Sequence, residues 1–384
     1  MKSSGNLKRI EAFFSLLGDA CQMVGATFLV LVLGHYMLGG AASLYHYVNS
    51  GSSSNVDARY KSPVYDNDPD KIAYWEEFNR AWGEHFEPYV HWKRDPFKGR
   101  FINVDQDGIR RTVKGNLAEN SKKVFMFGGS TMWGTGSPDD QTIPSFVQSM
   151  LGNGYDVYNY GDTAYVSAQE LNALLLLLAQ GKVPDVVVFY DGVNDGYAGA
   201  YSPAIPRDPH NLRLRDRVNK PIVVELIRHS NYKDLFKILI GNRKFSAWEE
   251  KITPLIPEKS IGVIDAYEAH IRQVNALAKE YGFKACFFWQ PNLASMSRSN
   301  LLAYEQIIIK GESPALMASQ KAVYEVAKGR FTRREDENIF FLGDIFDQVE
   351  QAIYIDWHHI GPGGNEIIAK AMTPCVTSSN MGNT

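Results

Sequence analysis

The sequence is short of several things, and each shortage removes a class of protein. Cysteine occurs three times in 384 residues, at Cys21, Cys286 and Cys375. That number builds no disulfide framework of the kind that staples small secreted domains. Cys21 lies in an apolar segment and Cys286 in a strand-like run, so both read as small buried hydrophobes. The sequence leaves a Cys286–Cys375 bridge open, and cysteine usage alone does not fix the redox compartment. An excess of positive charge is also missing. Forty Lys and Arg stand against 43 Asp and Glu, a formal net charge of −3. No overall basic field therefore recruits nucleic acid. The local cluster RLRDRVNK, Arg213 to Lys220, is broken by Asp216 and reads as a solvated face. No internal repeat recurs, which sets aside solenoids and propellers.

Long apolar runs are rare as well. The exception is Cys21 to Leu44, which holds no Asp, Glu, Lys or Arg. A membrane span needs about 20 mostly apolar residues. A cleaved signal peptide has a shorter apolar region, about 7–15 residues, nearer the start. The run is therefore expected to be an uncleaved anchor over residues 21–47, following an N-terminal cytoplasmic segment, 1–20. A buried or interfacial helix is the plainer alternative. Lys2, Lys8 and Arg9 precede the run, whereas Arg59 and Lys61 follow at a distance. That bias sets the N-terminus in the cytoplasm and the rest outside it, in the periplasm or at the surface of a bacterium. NSGSSSN, Asn49 to Asn55, reads as a tether within a flexible linker, 48–60.

What is abundant is ordinary globular composition, 45% hydrophobic and 22% charged. Residues 61–118 are dense in aromatics and charge, and are expected to form an extension that packs on the main domain. Trp75, Phe78 and Trp82 are spaced to share a helix face. The Asp107-Gly108 pair inside FINVDQDGIRRT predicts a small hairpin. From 119 to 376 the pattern alternates. Strands are predicted at KVFMF, YDVYNY (155–160), DVVVFYDG (185–192), KACFFW (284–289) and NIFFLGDIF (338–346). Helices are predicted at 143–151, 167–180, 262–282 and 363–372, the second apolar nearly all round and so buried. Such alternation implies βα units and a parallel sheet covered on both faces. The stretch 197–259 interrupts it with several prolines and reads as an insertion or lid. Residues 377–384 form a tail.

In open α/β sheets, chemistry gathers beyond the carboxyl ends of the strands. The first strand delivers Gly128-Gly129-Ser130. The second delivers Asn159-Tyr160-Gly161, the third Gly192-Val193-Asn194-Asp195, and the fourth Gln290-Pro291-Asn292. YIDWHHIGPGGNE follows the last, with Asp356, His358 and His359. A serine hydroxyl is a weak nucleophile until a base takes its proton. The base is usually a histidine oriented by a carboxylate, and the oxyanion that develops needs fixed donors. Ser130, His359, Asp356, Gly161 and Asn194 supply each part. Glycines before the serine let the backbone turn sharply and expose the hydroxyl. Two other chemistries fit less well. No lysine follows as in a P-loop. Asp356, His358 and His359 have no further ligand cluster beside them, so no metal is expected. His358 reads as structural or as lining the site. Gly129, Trp133, Gln290 and His358 are the candidate substrate contacts.

These residues resemble the blocks of the SGNH/GDSL hydrolase family. GGSTMWG is similar to its first block, with Gly134 four residues after the serine. NYG, GVND and DWHHIGPGG are similar to its second, third and fifth. The four letters of the family name fall, in chain order, on Ser130, Gly161, Asn194 and His359. The family's acid stands three residues before the histidine, which selects Asp356, and Gly364 follows five residues after His359. The resemblance covers roughly 122–374. It departs from the pattern once, where Gly129 replaces the family's Asp, a residue that transfers no proton there. The G-x-S-x-G elbow of α/β-hydrolases is absent, because Met132 stands where its second glycine would be.

The resemblance implies a flavodoxin-like three-layer α/β/α sandwich and ester hydrolysis or acyl transfer without a cofactor. Ser130 is the implied nucleophile, His359 the base and Asp356 its orienting acid. The N–H groups of Ser130 and Gly161 and the Asn194 amide are the implied oxyanion donors. Family members include carbohydrate O-acetyl esterases, so an acylated glycan is the expected substrate. O-acetyl transfer onto a polysaccharide by the same residues is the nearest alternative, then a lipase or thioesterase. A non-catalytic glycan-binding protein is the reading from another class, and the intact residue set argues against it.

Overall fold

The computed structural model of the chain describes residues 3–49, 56–201, 253–296 and 301–378. The chain divides into two compact units, residues 1–54 with 215–245, and 55–214 with 246–384.

Within the first unit, Ser3–Asn49 is one helix, α1. Its stretch Ala12–Gly40, 29 residues of mean hydropathy 1.9, is long and apolar enough to cross a membrane. At 1.5 Å per residue it exceeds the roughly 30 Å of a hydrocarbon core. It begins before the expected start at residue 21 because Asp19 is an isolated charge within an apolar neighbourhood. Most of the expected tether, residues 50–55, lies outside the described residues.

The second unit opens with two 3-10 turns, Ala58–Lys61 and Pro63–Tyr65, and helix α2 (Lys71–Arg80). Two short antiparallel pairs follow: β1 (Glu84–His85) with β2 (Lys93–Arg94), and β3 (Phe97–Lys98) with β4 (Asn103–Val104). The main elements are β5 (Lys122–Gly128), α3 (Ser130–Trp133), α4 (Ile143–Leu151), β6 (Tyr155–Asn159) and α5 (Ser167–Ala179). Next come β7 (Val186–Asp191), α6 (Val193–Tyr201), α7 (Ile256–Tyr281) and β8 (Lys284–Trp289). The chain closes with α8 (Ala303–Gly311), α9 (Pro314–Phe331), β9 (Ile339–Phe341) and α10 (Pro362–Thr377).

The sheet runs β6-β5-β7-β8-β9, with every pairing parallel. This is the doubly wound, flavodoxin-like order, whose crevice opens beyond the carboxyl ends of β5 and β7. Successive side chains on a strand point to opposite faces. Phe125, Phe127, Val187, Phe189 and Phe287 accordingly pack with buried residues of α5, α7 and α9. Val124, Met126, Val188, Tyr190, Cys286 and Phe288 pack with those of α4 and α10. Phe127, Phe189 and Phe287 stack across three strands at 5.1 and 5.5 Å between ring centroids. Both faces are thus covered, as the alternating pattern predicts.

The extension packs on this sandwich through Tyr65, Tyr74, Trp75, Phe78, Ile102 and Val104, which cluster with Trp133 and Ile355. The predicted three-aromatic helix face needs correction. α2 ends at Arg80, so Trp82 lies beyond it and is 47% exposed. The predicted hairpin is present, with Gly108 at φ 73° in its turn. Its Arg110 bridges Val104 on one side and Asn159 of β6 on the other. The sheet's edge is thereby covered rather than left open to other chains. α5 is apolar nearly all round because it has two covers. One is the sheet. The other is the β1–β2 loop, where Val90 and Trp92 pack with Tyr165, Ala173 and Leu176.

α8 and α9 fall in a stretch for which the sequence pattern yields no element. α7 starts at Ile256, six residues before the predicted Gly262. Of the insertion, residues 202–252 lie outside the described residues. Cys286 and Cys375 are bridged, joining β8 to α10.

Candidate active site

Ser130, the candidate nucleophile, stands where β5 stops. Gly128 ends the strand, Gly129 caps α3, and Ser130 begins that single helical turn. The glycines are there for space. A Cβ on Gly128 would meet the Tyr190 carbonyl oxygen at 2.8 Å, and one on Gly129 would meet Asn194 Nδ2 at 2.2 Å. Gly134, at φ +101°, closes the turn in a conformation that L side chains avoid.

His359 arrives from the loop between β9 and α10. Ile355 and His359 are tied by a backbone hydrogen bond of 2.9 Å, and Tyr354 bridges Ile360. Asp356 Oδ1 accepts the backbone N–H groups of His358 (3.1 Å) and His359 (2.8 Å). Its Oδ2 lies 2.6 Å from His359 Nδ1. His359 Nε2 lies 2.7 Å from Ser130 Oγ. A continuous hydrogen-bonded line therefore runs from carboxylate through imidazole to hydroxyl, across 229 residues of sequence. Burial alone would raise the Asp356 carboxyl. Its interaction and hydrogen bond with His359, and the positive Arg59 guanidinium, hold it well below its usual range. An imidazole so placed can take the serine proton.

His358 lies tilted between its neighbours, its ring centroid 3.9 Å from that of His359 and 4.2 Å from that of Trp357. Burial and the adjacent His359 push it down to about 3, so it is neutral at ordinary pH. Asp356, His358 and His359 hold potential ligand atoms within 4.8 Å of one another. Both Asp356 oxygens are already engaged, Oδ1 by the loop backbone and Oδ2 by His359.

Asn194 sits at the start of α6 and donates through Nδ2 to the Tyr165 carbonyl at 2.8 Å. A primary amide carries two N–H bonds, so one remains. Gly161 packs against α3, where a Cβ would meet Trp133 N at 2.5 Å and Met132 C at 2.9 Å. Its own N–H is given to Asn159 Oδ1 at 3.0 Å. Gly161, unlike the Asn194 amide, thus has its single N–H already engaged. Two of the expected substrate contacts are buried instead. Trp133, the last residue of α3, is 1% exposed in the extension's aromatic cluster, and Gln290 is 5% exposed. Gly129 is filled against Asn194, and His358 keeps 17% of its side chain exposed.

Sequence reasoning missed three arginines, Arg94 and Arg110 from the extension and Arg59 from the end of the expected flexible linker, which folds instead as the 3-10 turn Ala58–Lys61. Arg110, 1% exposed, donates to the carbonyls of Trp133, Gly134 and Ser137 at 3.0, 2.7 and 2.7 Å. Arg94 pairs with Asp162 at 3.4 Å and donates to Thr163, beside Gly161. Arg59 reaches Asp356 Oδ2 at 3.3 Å. No local pattern announces such contacts, because their partners are tens to hundreds of residues away. A buried acidic group beneath the site was also missed. Glu170, Asp191 and Asp195 are 0%, 4% and 4% exposed. Asp195 accepts from Ser167 Oγ at 2.5 Å, and that oxygen lies 2.8 Å from His270 Nδ1.

The fold and this line of side chains define an α/β sandwich with a serine, a histidine and an aspartate at its switch point. No protein-family profile matches the chain, and no curated protein matches it. Among solved structures it is similar to a carbohydrate acetylesterase family member from Sinorhizobium meliloti, at 15% identity and TM-score 0.36. That match covers 66% of this chain and 97% of the other. A member of the lipolytic G-D-S-L family from Veillonella parvula matches at 11% identity and TM-score 0.34, covering 66% and 96%. A catalytic mutant of an acetylxylan esterase from Geobacillus stearothermophilus matches at 15% and 0.36, covering 70% and 98%.

Proposed function

We propose that the protein is a membrane-anchored SGNH-type serine esterase that removes O-acetyl or other short acyl groups from a carbohydrate of the cell envelope. The observation that carries this reading is the unbroken line Asp356–His359–Ser130. Ser130 Oγ attacks the acyl carbonyl as its proton passes to His359 Nε2. Asp356 keeps the imidazole in the tautomer whose Nε2 accepts. The oxyanion is met by the Ser130 N–H at the start of α3 and by the remaining amide N–H of Asn194, with Gly161 able to contribute only by sharing its bond to Asn159. His359 returns the proton to the leaving alcohol. Water, deprotonated by the same imidazole, then cleaves the acyl-serine bond and restores the enzyme.

A glycan substrate is supported by exposed aromatics on the extension. Phe86 and Tyr89 are 65% and 71% exposed, and flat rings suit the apolar faces of sugars. A compartment outside the cytoplasm is supported by the Cys286–Cys375 bridge, because disulfides persist where the surroundings are oxidising. The apolar stretch of α1 supports the anchor.

The test uses the full chain in detergent, with a fluorophosphonate probe and p-nitrophenyl acetate. Wild type is expected to label and to release acetate. Ser130→Ala and His359→Ala are expected to lose both. A folded wild type that neither labels nor turns over removes the esterase reading.

A further inference from the structure

Arg94 and Arg110 of the extension, and Arg59 of the 3-10 turn just before it, each reach a different segment of the site. Arg110 holds the loop after Ser130, and Arg94 holds the residues after Gly161. Both act on backbone or on side chains that the chemistry does not use. Arg59 differs, because its partner is the carboxylate of the relay.

We propose that Arg59 is a positioning residue for Asp356, setting the rotation of its carboxylate against His359; this rests on the serine-esterase reading. Arg59 is itself fixed before it reaches Asp356. Its Nε and Nη2 grip Asp57 at 3.0 and 2.7 Å. Its guanidinium lies over the Trp75 ring, 4.5 Å from the centroid, and near Phe78 at 5.4 Å. A planar fork held by a carboxylate and an aromatic face loses little further freedom when its last nitrogen is used. That nitrogen, Nη1, meets Asp356 Oδ2 at 3.3 Å, the same oxygen that takes His359 Nδ1 at 2.6 Å. Oδ1 is occupied by two backbone N–H groups. Without Arg59 the carboxylate keeps its hold on the loop but loses the brace on the oxygen that aims the imidazole. The turn that precedes the extension thus braces Asp356 from a part of the chain 297 residues away.

The test compares Arg59→Met and Arg59→Lys with wild type in the full chain. Three things are read: ester kinetics, the melting temperature, and the far-downfield proton resonance of the His359–Asp356 hydrogen bond. Arg59→Met is expected to lower kcat about 10- to 100-fold, the cost of small misplacements in a catalytic array. KM should stay within about twofold, since Arg59 makes no claim on substrate. The resonance should shift or broaden. Arg59→Lys keeps the charge without the fork and should fall between. If Arg59→Met does not fold, Asp57→Asn loosens the same guanidinium and should move kcat and the resonance in the same direction, by less. A folded variant with unchanged kcat and resonance overturns the proposal. A fall in kcat with an unchanged resonance overturns it too, since Arg59 would then act elsewhere. If wild type turns over no ester, the esterase reading fails, while the resonance still decides whether Arg59 sets the geometry of the pair.

Discussion

At Gly129 the absence of a side chain decides where Asn194 can sit. The chain's one departure from the resembled first block lies here, and the backbone conformation is ordinary, at φ −78° and ψ −154°. What forbids a side chain is the Asn194 amide, 2.2 Å from where a Cβ would stand. Gly129→Asp would restore the family's letters yet displace the proposed oxyanion donor. Its kcat is expected to fall rather than rise, which steady-state kinetics on p-nitrophenyl acetate would show. Asn194→Ala removes the donor without adding bulk and should lower kcat by about 10²–10³, or roughly 3 kcal/mol. If Asn194→Ala keeps full kcat, Asn194 is no donor and the Gly129 argument goes with it. The residues of the site were legible in the sequence for a local reason. Asp356 and His359 stand three apart, and Ser130, Gly161 and Asn194 each follow a strand-like run. Arg59, Arg94 and Arg110 were not legible, because nothing near them in sequence records the partner that folding supplies. Trp133 was misjudged for the opposite reason. It follows the serine closely, but a one-turn helix points it into the extension's aromatic cluster.

Helices and strands were legible where the apolar period was strong and the ends were marked. α4 begins with Pro144 in its first turn and matches its expected bounds. α7 ends at Gly282, in the left-handed conformation that stops helices. α8 and α9 carry mixed polarity without so clear a stripe, and only the assembled sheet shows why α9 belongs against it. The acidic group joins three elements, Glu170 on α5, Asp191 on β7 and Asp195 on α6. Burial raises all three, Asp195 to about 6 and the other two well above their ordinary values. The nearby Asp191 and Asp195 raise Glu170 further, and neither of its buried carboxyl oxygens has a hydrogen-bond partner. A carboxyl raised in the fold binds its proton more tightly than in the unfolded chain. Its contribution is complete below about pH 4 and is lost as pH rises through its folded value. Asp356 has the opposite sign, losing its contribution only as pH falls below about 4. Between pH 5.5 and 8 the acidic group dominates, so the melting temperature should fall. Glu170→Gln removes one titrating member at nearly constant shape and should flatten that fall. Parallel melts of wild type and variant at the two pH values check it, and equal slopes would count against Glu170 as a titrating member of the group.

For the whole molecule, the bridge between Cys286 and Cys375 ties the middle of the sheet to the last helix, and it carries the compartment argument. The sequence left this pairing open because 89 residues separate the cysteines and only the fold brings β8 and α10 together. Closing a loop of that length stabilises mainly by restricting the unfolded chain, typically by 2–5 kcal/mol. For a body of this size about 1 kcal/mol moves the melting temperature by roughly 2–4 °C. Cys286→Ser with Cys375→Ser should therefore melt roughly 5–15 °C lower than wild type, as should wild type kept in reductant. The same pair reports which side of a membrane the domain occupies. In intact bacterial cells expressing the full chain, a thiol-reactive maleimide added at lysis should find Cys286 and Cys375 blocked. They should react only after reduction. Cys21, which lies in the apolar stretch of α1, has no partner cysteine among the described residues and serves as the internal reference for a thiol. If Cys286 and Cys375 react at once and the double serine variant melts like wild type, the bridge does not form in the cell. The domain would then lose its main structural support for standing outside the cytoplasm, and the choice of an envelope glycan would rest on the anchor and the exposed aromatics alone.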